Sequence, residues 1–273
     1  MGLLIILTIL FYMFSTAGYI AYLFLQKDIL HRAGLWLLGI GFLFHSGSIV
    51  YGALIAGHLP VHNLCQILSL AGWTITGVFL IFQYRFKLKI LGVYAAPLTT
   101  LVMVVSSQLP REPVQVNNVL NSFWVMFHVA VIFMGEAAFA LACGVGILYL
   151  IQEHAIKNKY RGFFFRRLPS LSLLDSPGYA CIVSGFTLLT LGLITGFLYA
   201  KLAWGKFWSW DPKEVWSGIT WLLYAALLHE RLMTGWRGRR AAIMSVIGFA
   251  LVLFTFFGVN FLLKGHHGAF TQW

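Results

Sequence analysis

Residues Trp204 to Trp221, WGKFWSWDPKEVWSGITW, concentrate the side chains with which this chain could hold a large ligand. Five of its ten tryptophans lie here: Trp204, Trp208, Trp210, Trp216 and Trp221. Asp211, Lys213 and Glu214 sit among them, in a chain where only 10% of residues are charged. An interfacial aromatic belt is the ordinary use of tryptophan beside a membrane. One or two rings per helix end suffice for that, and this segment exceeds it. A flat apolar molecule with a polar edge would suit it, and haem is the obvious example. Histidines supply the matching metal chemistry. His128 stands eight residues before Glu136, and His266 and His267 close the sequence GVNFLLKGHHGAF. Two imidazoles from opposite sides of an aromatic platform would ligate a haem iron. His45, in FLFHSGS, and His229, in LLHERL, are the right ligand types for a second site deeper in the chain. An imidazole inside an apolar span serves equally well as a neutral partner to a neighbouring helix.

The elements that must position these residues are apolar helices. A chain of 273 residues, 60% hydrophobic, with a mean hydropathy of +0.83, is too apolar for a soluble domain. Its apolar blocks are continuous rather than alternating, which excludes a closed β-barrel. The pattern predicts an all-α polytopic membrane protein with about eight transmembrane helices. They fall at about 3–25, 34–56, 64–83, 88–106, 122–151, 178–199, 213–231 and 241–263. Residues 1–273 form one integral-membrane domain in this reading, with 204–221 as its external segment. The first apolar run has no basic leader and no small-residue cleavage site, so it is expected to be a retained helix.

The net charge of +11 is distributed by side. Fourteen of the nineteen Lys and Arg residues fall in the connections after spans 1, 3, 5 and 7, from Lys27 and Arg32 to Arg239 and Arg240. Positive residues mark the cytoplasmic face. Both termini and the tryptophan segment are then external, and the charge implies no nucleic-acid partner. The basic stretch FFFRRL is expected at the membrane surface, its arginines on anionic lipid. Cys65, Cys143 and Cys181 form no CxxC pair and read as packing residues.

Local signals add detail. Asp211-Pro212-Lys213-Glu214 has the form of a capping box with proline at the first helical position, which begins span 7. The amides of such a helix start would also favour a ligand carboxylate, with Lys206 and Lys213 as cationic partners. Glu136 lies mid-span, about 80° round the helix from His128 and broadly on the same side. Loop histidines His58 and His62 lie in GHLPVHN.

Taken together, these motifs are similar to those of the tryptophan-rich (WWD) haem-handling superfamily of cytochrome c biogenesis, and among its branches to the CcsA (ResC) type. WGKFWSWDPKEVWSGITW resembles the signature itself, and GHLPVHN resembles the family's loop. His128 in FHVAVIFMGEAAFAL, His229 in LLHERL and His267 in GVNFLLKGHHGAF fit its histidine positions. The resemblance covers about residues 40–270. It implies haem b held externally over Trp204, Trp208, Trp210, Asp211 and Trp216, with His128 and His267 on the iron. It further implies delivery to the CxxCH cysteines of apocytochrome c as part of a holocytochrome c synthase. A CcsB/ResB-type membrane subunit would supply the partner for His229, leaving His45 an additional site residue. The expected location is the cytoplasmic membrane of a bacterium, or the thylakoid membrane for a plastid-encoded chain. Two positions depart from the family: Gln66 replaces a usual acid, and Glu136 stands where an uncharged residue is common. Alternatives are a HemX-like membrane protein acting on haem biosynthesis through a partner, or a transporter of another ligand.

Overall fold

The computed structural model describes residues 2–57, 61, 63–110, 123–159 and 162–262, apart from the side chains at 123, 203, 204, 260 and 261. Among these residues there is no strand, and each expected span corresponds to a helix. The helices are α1 (Gly2–Leu25), α2 (Asp28–Ala56), α3 (Leu64–Phe86), α4 (Gly92–Gln108), α5 (Phe123–Lys157), α6 (Leu171–Trp204), α7 (Pro212–Met233) and α8 (Arg239–Leu253). A π-helical turn, Phe254–Gly258, leads from α8 into α9 (Val259–Leu262). Seven of the helices are long and apolar enough to cross a bilayer. The chain is thus a multi-span helical membrane protein. α7 is not among those seven, because Lys213, Glu214, His229, Glu230 and Arg231 lower its hydropathy.

Two helices outrun their expected spans. α5 has 35 residues, about 52 Å at 1.5 Å per residue. α6 has 34 and begins seven residues before the expected start, with Pro177 inside it. Proline there removes one backbone hydrogen bond and bends a helix without having to end it. The chain divides into two compact units at that point. One comprises residues 1–112 and 151–177; the other comprises 113–150 and 178–273.

In the first unit α1 turns its polar side inward. Thr8, Tyr12, Ser15, Tyr19 and Tyr22 recur every three or four residues and are buried, while Leu3, Ile6, Met13 and Phe14 face out. A lipid-facing surface must be apolar, so hydroxyls are placed where neighbouring helices can satisfy them. Ser15 Oγ donates to the Gly34 carbonyl at 2.7 Å. A Cβ on Gly41 would stand 2.7 Å from the Tyr12 ring, so only glycine permits this approach of α1 and α2. The FFFRRL stretch docks on the end of α1 rather than reaching for lipid through both arginines. Arg167 donates to the Phe24 carbonyl at 3.0 Å and lies 3.9 Å from the Phe163 ring centroid. A guanidinium at a helix C-terminus meets both unpaired carbonyls and the negative end of the dipole. Arg166 remains exposed.

The second unit is an up-and-down four-helix arrangement of α5, α6, α7 and α8. Its register can be followed contact by contact. Along α5 and α6, Gly135 faces Leu189, Ile132 faces Gly192 and His128 faces Gly196, so the two helices are antiparallel. Trp221 meets Thr190 and Arg231 meets Tyr179, which makes α6 and α7 antiparallel. α5 and α7 therefore run in the same direction. They touch where Phe139 stacks on Tyr224, with centroids 3.6 Å apart. Counting back eleven residues from each ring reaches His128 on α5 and Lys213 on α7, at one level.

Candidate functional site

His128 is half-buried six residues into α5, and α6 fixes its orientation. Nδ1 lies 2.8 Å from the Gly192 carbonyl oxygen and 3.3 Å from Thr195 Oγ. A carbonyl can only accept, so Nδ1 carries the proton and Nε2 is the basic nitrogen of the neutral ring. A backbone carbonyl holding the far nitrogen is the usual way a metal-ligating imidazole is oriented. The ring rests on Gly196, where a Cβ would come within 2.9 Å of Cε1. Neither Gly192, Thr195 nor Gly196 stands out in sequence, where span 6 reads as plain. Their signal is the spacing of Gly185, Gly192 and Gly196, each of which receives an α5 side chain.

The same turn of α6 reaches the tryptophan segment. Phe197, next to Gly196, packs on Trp208 with centroids 5.6 Å apart. Trp208 is half-buried, and its Nε1 is buried without a hydrogen-bond partner among the described residues. An unspent indole N–H costs on the order of 1–3 kcal/mol, which a ligand acceptor would recover. Trp210 meets Trp208 edge-on at 5.7 Å and is 77% exposed.

Trp210 also has φ +60°, a left-handed conformation that side chains rarely adopt. The cause is Glu214. Its carboxylate accepts from Ser209 N at 2.9 Å, from Ser209 Oγ at 2.9 Å and from Asp211 N at 3.3 Å. One side chain thus grips the backbone on both sides of Trp210 and turns its ring outward. Asp211 completes the expected capping box: it is buried and accepts from Lys213 N at 2.9 Å. The start of α7 is therefore served by the protein's own carboxylates. The amides of Asp211 and Lys213 are taken up by this internal cap.

The remaining tryptophans divide by role. Trp216 is half-buried against Phe254 of the π turn, at 4.5 Å. Such turns insert one residue into a helix and frequently occur at functional sites; nothing in the apolar run 241–263 signals one. Trp221 donates its Nε1 to Thr190 Oγ at 2.9 Å, a tie between α6 and α7 away from Trp208. Trp204 ends α6, and its side chain is outside the described residues.

His45 and His229 are the other expected histidines among the described residues. His45 lies in the first unit, fully buried, with Nδ1 3.2 Å from Tyr12 OH and Nε2 2.9 Å from Ser69 Oγ. Both ring nitrogens are engaged by hydroxyls, the arrangement of a polar core residue. His229 is exposed on α7. His58, His62, His266 and His267 lie outside the described residues. Cys65, Cys143 and Cys181 are buried thiols outside any disulfide, as packing residues should be.

These features define a class: a multi-span helical membrane protein that brings an oriented histidine and a clustered tryptophan segment to one end of a four-helix unit. Residues 61–267 match the cytochrome c assembly protein family. A cytochrome c biogenesis protein CcsA from Chlamydomonas reinhardtii is 36% identical over 78% of this chain and 61% of its own length. The CcsA protein of Prochlorococcus marinus is 34% identical over 82% of this chain and 79% of its own. The chain therefore belongs to the cytochrome c assembly protein family, in its CcsA-type branch. Among solved structures, cytochrome c haem lyase CcmF shares the fold, with a TM-score of 0.64 and 18% identity. The match covers 98% of this chain and 48% of that one.

Proposed function

We propose that the protein handles haem in cytochrome c biogenesis, presenting haem b on the Trp204, Trp208, Trp210 and Trp216 platform with His128 and His267 as axial ligands. The observation that carries this reading is the single turn of α6 that both orients His128 and supports Trp208. CcmF, which shares the fold, is a haem lyase by name. The residues present fit that group. Nε2 of His128 has the lone pair that iron takes, Trp208 has an unspent donor, and Trp210 offers an outward aromatic face.

Haem supplies the vinyl groups to which the thiols of an apocytochrome c CxxCH motif add. The chain's own part is positional. Gly192 and Thr195 hold the His128 ring, Glu214 sets Trp210, and Trp216 bears on the π turn. In this reading the tryptophan segment and both termini face the periplasm or thylakoid lumen. His229, exposed on α7, would meet a histidine of a CcsB/ResB-type subunit, because an imidazole facing lipid is costly. The membrane is then the bacterial cytoplasmic membrane or a thylakoid.

The test is the optical spectrum of detergent-purified protein, with His128, His229 and His267 each changed to glycine. Loss of the Soret band in H128G and H267G, and its return with imidazole, is expected. Spectra unchanged by all three substitutions would refute the ligand assignment. A deletion strain that keeps its c-type cytochromes would refute the biogenesis role.

A further inference from the structure

From α8 into the π turn, Ser245, Gly248, Val252 and Thr255 are buried and recur every three or four residues. Thr255 ends this line against α7, its Oγ 3.4 Å from Thr220 Oγ. Leu262 lies seven residues beyond Thr255, two turns of an uninterrupted α-helix, and there it would continue the line. It is instead 73% exposed. The π turn between the two accounts for the departure. Val259 N donates to the Phe254 carbonyl, five residues back, so this turn holds one residue more than an α-helical turn. The extra residue sets every later position back by about 100° and about 1.5 Å.

A π turn is rare, so contacts outside its own helix must hold it. Phe254 makes them. Its ring meets Trp216 of α7 at 4.5 Å, edge to face. The same ring covers Gly258, where an added Cβ would come within 2.5 Å of Cδ2. Thr255, the next residue, is held beside Thr220, one turn along α7 from Trp216. Thr220 Oγ in turn donates to the Trp216 carbonyl at 2.9 Å. One face of α7 therefore grips two successive residues of the π turn. Releasing the extra residue requires both contacts to part.

We propose that Trp216, acting through Phe254, locks the π turn and so sets the rotational aim of the end of α9 and of the chain that leaves it. His266 and His267 follow Leu262 within five residues. Trp216 is then a positioning residue for the segment that carries them, as well as a wall of the tryptophan platform. The locking of the register stands on the contacts alone. Its service to a ligand rests on the haem reading above.

The test is maleimide labelling of L262C in the full-length, detergent-purified protein, where the three native thiols are buried and give little background. With the native register the new thiol is open and labels readily. F254A removes the clamp. The helix end should then take the α register, turn position 262 toward α7 and label severalfold more slowly. Deleting the exposed Phe257 takes one residue out of the turn and leaves later positions where the π turn puts them. Labelling should therefore stay at the native rate in the deletion, with or without F254A. Such rescue is what a register requires and what a mere loss of packing does not give. Thermal unfolding identifies the folded variants. Unchanged or faster labelling in folded F254A, or protection that the deletion does not reverse, overturns the proposal. If F254A does not fold, G258A, whose Cβ displaces the same ring, is read with and without the deletion by the same criteria. Soret titration of the same set tests the service to a ligand: F254A should lower haem affinity by about tenfold and the deletion should restore it. Labelling as expected with haem affinity unchanged overturns the positioning role of Trp216 while the register stands. A wild type with no Soret band overturns the haem reading itself, and the labelling result is independent of it.

Discussion

Substituting alanine for Gly196 tests whether the placement of His128 governs ligand binding. The new Cβ would stand 2.9 Å from His128 Cε1, 0.5 Å inside the 3.4 Å of ordinary contact. The ring cannot simply swing away, because Nδ1 is held by the Gly192 carbonyl at 2.8 Å and lies near Thr195 Oγ. A shift of that size strains or lengthens the bond. Overpacking costs about 1–3 kcal/mol and a weakened hydrogen bond about 1 kcal/mol. Against this, alanine inside a helix gains about 0.5–1 kcal/mol over glycine. The net expectation is a destabilisation of about 1–3.5 kcal/mol. Of this, the part that misplaces Nε2 appears as a roughly tenfold loss of haem affinity, equivalent to about 1.4 kcal/mol. Gly39 supplies the control: it lies within α2 and has nothing within 4 Å of a new Cβ. G39A should be neutral or stabilising and should leave the haem titration unchanged. Soret titration and thermal unfolding of both variants decide the matter. Wild-type affinity in G196A would show that the α6 contact does not position the ligand.

Other substitutions separate the site from its supports. E214Q should release the backbone around Trp210, costing about 0.5–2 kcal/mol as a lost cap and changing Trp210 fluorescence, as measured with the other tryptophans unaltered. W221F removes the bond to Thr190 Oγ and should lower stability by about 1 kcal/mol, with the Soret spectrum unchanged in the folded protein. H45F removes the imidazole from Ser69 Oγ and from Tyr12 OH, which keeps its bond with Thr76, and should destabilise by about 1–3 kcal/mol. A Soret spectrum altered in folded H45F would restore His45 as a haem ligand.

Each level of structure was legible in sequence to a different extent. Helix positions follow from apolar runs about as long as a bilayer, and the start of α7 follows from side chains that cap within four residues. Those signals are local. α5 and α6 continue past the apolar stretches of spans 5 and 6, through Pro177 in one case. Charge and proline mark where a lipid-facing segment stops, whereas a helix can continue on protein contacts. The candidate ligands His128 and His45 are alike in sequence, each one imidazole within an apolar helix. Only tertiary partners distinguish them: two hydroxyls on one ring, a backbone carbonyl on the other. Likewise the five tryptophans form one motif in the chain and at least three environments in the fold.

The cap and first turn of α7, residues 211–214, serve both structure and site. The acids cap α7, and Glu214 is further committed to Ser209. That commitment turns the helix start from an anion site into a rigid base for Trp210. Lys213 contributes its backbone N–H to the cap, so its side chain is anchored at the root and can project elsewhere. The cap thereby orients an aromatic face outward at the first turn of the helix. A ligand on that face would meet an element that the helix start has already ordered, which lowers the entropy lost on binding.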